Sequence, residues 1–231
     1  MLKINVQKIV SLSFILIILS GSVYAQKYRK YYHENGKLVQ KITGNSKGTL
    51  TTYWDDYGYK EVKIEKTVTK MFGMSTETNK TTLMLGSVLY EWEEKGDVVT
   101  KMINDIAKTW EDGNYTAKQV EDMSIATLKQ LGYTKTGTEV ILGKTCDVWE
   151  GVGKSWAWKN LNLKAVVNVM GISITFEPVS LSLVEDVPFT LFELPKGKKV
   201  VNAGDQIPDD GSEESEQAKQ LMKGLFNSGG N

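Results

Sequence analysis

His33 and Cys146 each stand alone of their kind in this 231-residue sequence, and that bounds the chemistry it can do. Zinc and copper sites draw on clustered histidine and cysteine at short spacings. One of each, far apart in the chain, writes no such motif. A Ser-His-Asp arrangement would have to use His33, and no Gly-x-Ser-x-Gly elbow accompanies it. His33 is therefore expected at the surface of an aromatic, polar loop. Cys146 lies in Gly143-Lys144-Thr145-Cys146-Asp147-Val148-Trp149, a strand pattern, and is expected to be a small buried apolar residue instead of a nucleophile.

Paired carboxylates occur at Asp55-Asp56, Glu93-Glu94, Glu111-Asp112, Glu121-Asp122, Asp209-Asp210 and Glu213-Glu214. Most read as solvated turn or helix-surface pairs. Sugar hydrolysis would need two carboxyls held about 5–9 Å apart across a cleft, a geometry set by the fold and not by spacing in the sequence. The acidic tail lacks the alternating ligands and glycine of an EF-hand loop. Gly151-Val152-Gly153 lies between strands and opens no helix, so it is not a phosphate cradle. The reading is of a protein that is not an enzyme and holds no cofactor and no metal. With 28 basic and 28 acidic residues, charge gives no argument for nucleic acid as a partner.

The aromatic load carries more information. Six tryptophans, ten tyrosines and six phenylalanines stand on a chain poor in catalytic groups. Trp92, Trp149, Trp156, Trp158 and Phe176 are the candidates to line an apolar ligand cavity. The competing reading is that these side chains pack one sheet face against a helix.

The elements that would position them begin after a signal segment. Lys3 and Lys8 precede an apolar stretch at residues 14–19, and Val23-Tyr24-Ala25 suits cleavage before Gln26. Residues 1–25 thus read as a signal peptide, and the mature chain as periplasmic or secreted. The apolar run is shorter than the ~20 residues of a spanning helix, so no stable membrane span is expected. A single cysteine allows no internal disulfide. Residues 26–201 are expected to form one domain, acting as a monomer. Residues 202–231 read as an acidic linker and a short helix carrying Ala218, Leu221, Met222, Leu225 and Phe226 on one face.

Within the domain, residues 36–72 read as hairpins, with Asn35-Gly36 as a tight turn. From Tyr59 to Val68 polar and apolar residues alternate, as in a strand with Val62 and Ile64 inward and Glu61 and Lys63 on the polar face. A second β region covers residues 81–102, turning at Glu94-Lys95-Gly96-Asp97. Val120, Met123, Thr127, Leu128 and Leu131 recur at helical spacing over residues 116–131, with Thr116 as N-cap and Gly132 as the terminating glycine. Strands return over residues 138–192, with a two-residue turn at Lys159-Asn160. Pro178 should confine its strand to an edge or an end.

Several of these stretches resemble a known group. They are Leu131-Gly132-Tyr133 through Trp149, Trp156-Ala157-Trp158-Lys159-Asn160, and Val187-Pro188 to Phe192-Glu193-Leu194-Pro195-Lys196-Gly197. They are similar to exported bacterial proteins related in fold to the periplasmic lipoprotein carriers LolA and LolB. The likeness runs over residues 80–200, and Asn160 stands where relatives often have glycine. It implies a mostly β, α+β fold: an unclosed antiparallel half-barrel wrapped over helices, whose concave side holds acyl chains. The function then expected is non-enzymatic binding of a lipid, a lipoprotein acyl chain or another apolar ligand. The alternative is a structural or interaction protein of the cell envelope, its concave face filled by its own side chains or by the C-terminal helix.

Overall fold

The structure, a computed structural model, describes residues 27–71, 74–169 and 172–206. The expected signal segment and C-terminal helix lie outside them. The first half of the described chain contains β1 (Gly36–Gly44), β2 (Ser46–Asp55), β3 (Lys60–Met71), β4 (Met74–Leu85), β5 (Val88–Glu93) and β6 (Val98–Ile103). Two helices follow, α1 (Asp105–Asp112) and α2 (Ala117–Gln130). The second half contains β7 (Thr134–Ile141), β8 (Lys144–Glu150), β9 (Gly153–Trp158), β10 (Leu161–Val169), β11 (Ile172–Ser182) and β12 (Lys199–Asn202).

All twelve strands form one open sheet, in the order β12-β6-β5-β4-β3-β2-β1-β11-β10-β9-β8-β7. Two runs of sequential hairpins, β1 to β6 and β7 to β11, are joined where β1 pairs with β11. The sheet does not close, because β12 and β7 are both edges. It is also not wholly antiparallel, since β12 lies parallel to β6.

Local chemistry accounts for most turns. Lys159 and Asn160 both have positive φ, 48° and 65°, as a two-residue hairpin turn between right-twisted strands requires. Helix α2 opens with a capping box: Gln119 N–H donates to the Thr116 hydroxyl, and Thr116 N–H donates to Gln119 Oε1 at 2.9 Å. It closes at Gly132 (φ 81°), with Tyr133 N–H bonded to the Leu128 carbonyl and Gly132 N–H to that of Lys129.

Two expectations about glycine and proline are corrected. Gly36 is not in a turn but begins β1, opposite Trp54. A Cβ there would sit 2.2 Å from the Trp54 ring, so the glycine is required by close packing and not by φ. Pro178 lies in the interior of the sheet, because β11 pairs with β1 on one side and β10 on the other. It is tolerated because β10 pairs only as far as Phe176 and because the β1 ladder has a bulge at that point. Helix α1, which the sequence reading did not anticipate, starts at Asn104, whose side chain accepts from Ala107 N–H at 3.0 Å.

The ladders also fix which side chains share a face. From Met84 through Glu61, Trp54 and Gly36, and from Phe176 through Ala165 and Ser155 to Trp149, paired residues lie on one side of the sheet. Both helices pack on this side: Ala107 and Trp110 cluster with Tyr28 and Met84, while α2 stands over Trp149. On the opposite side Val62 and Leu83 are covered by Phe192, Leu191 and Leu194 of the segment after β11. The polar face of β3 is thus the one turned toward the helices, and Glu61 is buried on it. The third buried cluster joins Tyr31, Leu38 and Trp54 to Cys146, Val148, Trp156, Leu161 and Leu163.

Candidate functional site

Helix α2 carries an apolar stripe of which only the first turn is seated. Ala117 and Val120 are buried, whereas Met123, Ile125 and Leu128 are only half-covered. The N-terminal end is pinned by Asn160, whose Nδ2 donates to the Ala117 carbonyl at 3.0 Å and to the Lys30 carbonyl at 2.8 Å. Tyr32 adds a hydroxyl bond to Glu121 at 2.5 Å. Beyond these anchors the helix stands off the sheet and roofs a cavity of about 630 Å³. Its floor is Trp149, Ala157 and Ser155, its roof is Met123 and Leu128, and Ile106 and Trp110 of α1 form a side. Trp110 packs edge-on against Tyr28 at 5.6 Å, and its indole N–H has no hydrogen-bond partner.

Next to it on the same face is a groove of about 330 Å³. Asn160 and Asn162 border both spaces. Leu50, Ala165, Val167 and Phe176 make the groove apolar along part of its length, and Lys30 and Lys63 make it cationic elsewhere. Gln40 ties it together by donating across β11 to the Leu163 carbonyl of β10 at 2.9 Å. Behind the lysines is Glu61. Lys30 Nζ lies 2.8 Å from its Oε2 and Lys63 Nζ 3.2 Å from its Oε1, and the Tyr31 hydroxyl donates to Oε2. Burial alone would push the Glu61 carboxyl up. Lys30, Lys63 and the hydrogen bonds from Lys30 and Tyr31 outweigh it and hold the group at about 2. Burial pulls Lys30 down against the attraction of Glu61, while the Glu61 charge raises Lys63. Burial, followed by the charge of Glu61, keeps the Tyr31 hydroxyl protonated far above its ordinary range.

The five aromatics singled out from the sequence are divided by this geometry. Trp149 lines the cavity and Phe176 the groove. Trp92, Trp156 and Trp158 lie on the opposite side by the strand register. Trp92 packs in the cluster around Phe192, and Trp156 is buried with its indole donating to Glu139 at 2.6 Å. Trp158 stacks on His33, with ring centres 5.6 Å apart. His33 is therefore half-buried and not the free surface residue expected; burial, then Lys159 and Lys144, lower its pKa. Cys146 is fully buried, and burial raises its thiol. Glu61 and Lys63 carry no mark in the sequence, because alternating charges along a strand look the same whether the face meets solvent or a helix, and Lys30 lies outside any strand, before β1. Among the described residues no group of three or more His, Cys, Asp or Glu side chains could hold a metal, and no helix is long and apolar enough to cross a membrane.

No family model and no curated protein matches the chain. Among solved structures it is similar to an uncharacterised conserved protein from Thermus thermophilus, at 8% identity and TM-score 0.45, covering 81% of this chain and 98% of that one. It is also similar to PNGF-II, at 11% identity and TM-score 0.42, covering 74% of this chain and 32% of that one.

Proposed function

We propose that this chain is an exported, non-enzymatic carrier that shelters an apolar ligand, such as a lipid or a lipoprotein acyl chain, between α2 and the sheet in the manner of the LolA-like half-barrels. The observation that carries the proposal is the cavity of about 630 Å³ under the unseated half of the α2 stripe, floored by Trp149 and Ala157. Ligand pockets commonly span about 300–1,000 Å³ and are apolar with a few polar groups. A self-filled core would instead close at the density of an organic crystal. The short, locally anchored helix is the part that can yield to admit a ligand. Export rests on the basic and apolar pattern of residues 1–25, and intact mass of the protein from the envelope fraction should lack them.

The test of binding is an environment-sensitive apolar dye titrated into the full chain and into Ala157→Trp, which places an indole in the cavity floor. Saturable binding by the parent chain and its loss in the variant, with circular dichroism unchanged, support the carrier. No binding by either one means the face is already packed, and the structural or interaction reading replaces it.

A further inference from the structure

We infer that the groove beside the cavity is a head-group site for a carboxylate on a long alkyl chain, held by Lys63 and Lys30. The inference deepens the carrier reading above and rests on it. Lys30 and Lys63 are the two charged side chains that line the groove, and both are cations. Their shared partner Glu61 sits behind them with 5% of its side chain exposed, and its oxygens are taken by Lys30, Lys63 and Tyr31. One carboxylate between two ammonium groups leaves the cluster with one net positive charge. Each ammonium has three donors, and Glu61 engages one on each. The Lys63 side chain remains 44% exposed and the Lys30 side chain 18%, so a ligand can reach Lys63 directly and Lys30 at the edge of burial.

The remaining surface selects the rest of the ligand. Leu50, Val167 and Phe176 give the groove an apolar length that a free inorganic anion would leave empty. Asn160 and Asn162 border the groove and the cavity alike, so the two spaces are neighbours on one face, and an alkyl chain whose head lies at Lys63 is directed toward the space under α2. The low pKa of Glu61 fits the same assignment, because the carboxylate that organises the lysines stays ionised at any pH at which a fatty carboxylate is also ionised. Single negative charge at one end and aliphatic length at the other is the chemistry of a fatty acid.

Isothermal titration of the full chain with dodecanoate, dodecanol and dodecylphosphocholine tests this. Dodecanoate should bind about tenfold more tightly than dodecanol, the worth of one charge-assisted hydrogen bond. Lys63→Met should erase that preference, and Lys63→Arg should keep it. Equal binding of acid and alcohol by the parent chain overturns the head-group site and leaves the carrier standing. Tighter binding of dodecylphosphocholine than of dodecanoate overturns it in favour of a phosphodiester head. If none of the three binds, the carrier reading falls and the head-group site with it.

Discussion

Lys30 and Glu61 meet as a partly buried ion pair, 2.8 Å from Nζ to Oε2 with the carboxylate on the buried side, although 31 positions separate them in the chain. The pair fastens the segment before β1 to the start of β3, and Tyr31 bonds to the same carboxylate oxygen. A buried pair adds little net stability over an apolar replacement, but removing one partner strands the other charge at high cost.

Glu61→Gln should therefore lower unfolding free energy by about 3 kcal/mol near neutral pH, read from urea denaturation. The pH dependence has a definite sign. The folded carboxyl is held at about 2, below its ordinary 4.5, so its contribution is fully present above that ordinary value. It is lost as pH falls from about 4.5 through about 2. The parent protein should lose stability across that window more steeply than Glu61→Gln. Parallel curves would show that the carboxyl is not depressed.

Gly36→Ala tests the reassignment of this glycine from a turn to a strand. Its new methyl would lie 2.2 Å from Trp54 Cζ2 and 2.6 Å from the Ser182 carbonyl. Relief requires moving a fully buried indole, at about 1–3 kcal/mol. A melting temperature equal to the parent's would contradict the close packing described.

Phe192→Ala should cost about 3 kcal/mol, as for other large-to-small changes in a packed cluster. Phe192 covers Val62 and Leu83 on the side of the sheet away from the helices. Dye affinity should hardly change, and Trp92 emission should shift toward that of a solvated indole. Loss of dye binding in the folded variant would mean that the apolar site lies on that side instead.

Cys146 should react with a thiol reagent only as fast as the protein unfolds, because the side chain is fully buried and burial raises its thiol. Labelling followed across a urea series should track the unfolded fraction. Prompt stoichiometric labelling in native buffer would place the cysteine outside the core.

The features legible in the sequence are those whose cause is local. Thr116 caps α2 and Gly132 ends it, Lys159-Asn160 turns a hairpin by its own φ preferences, and Val62 and Ile64 mark one face of β3 by alternation. What could not be read depends on distant partners. Whether Glu61 meets water or a lysine is decided by Lys30, and whether Trp92 lines a cavity or seals a sheet is decided by Phe192. Pro178 looked like an edge residue because the sequence does not show where the ladder of β10 stops. Of the candidate site, Trp149 and Phe176 lie at the two spaces on the helix side, while the lysines carried no mark distinguishing them from surface charges.

The parallel strand β12 has a consequence for the order in which the molecule can be built. Val200 pairs with Val99, so the outer hydrogen-bonding edge of β6 has no partner until nearly the whole described chain has been synthesised. During that interval β6 offers a ready template to any other extended segment, including the same strand of a sister chain. Such a chain gains from a holding chaperone early and from dilution late, and β12 acts as a latch whose removal leaves a sticky seam on an otherwise finished sheet.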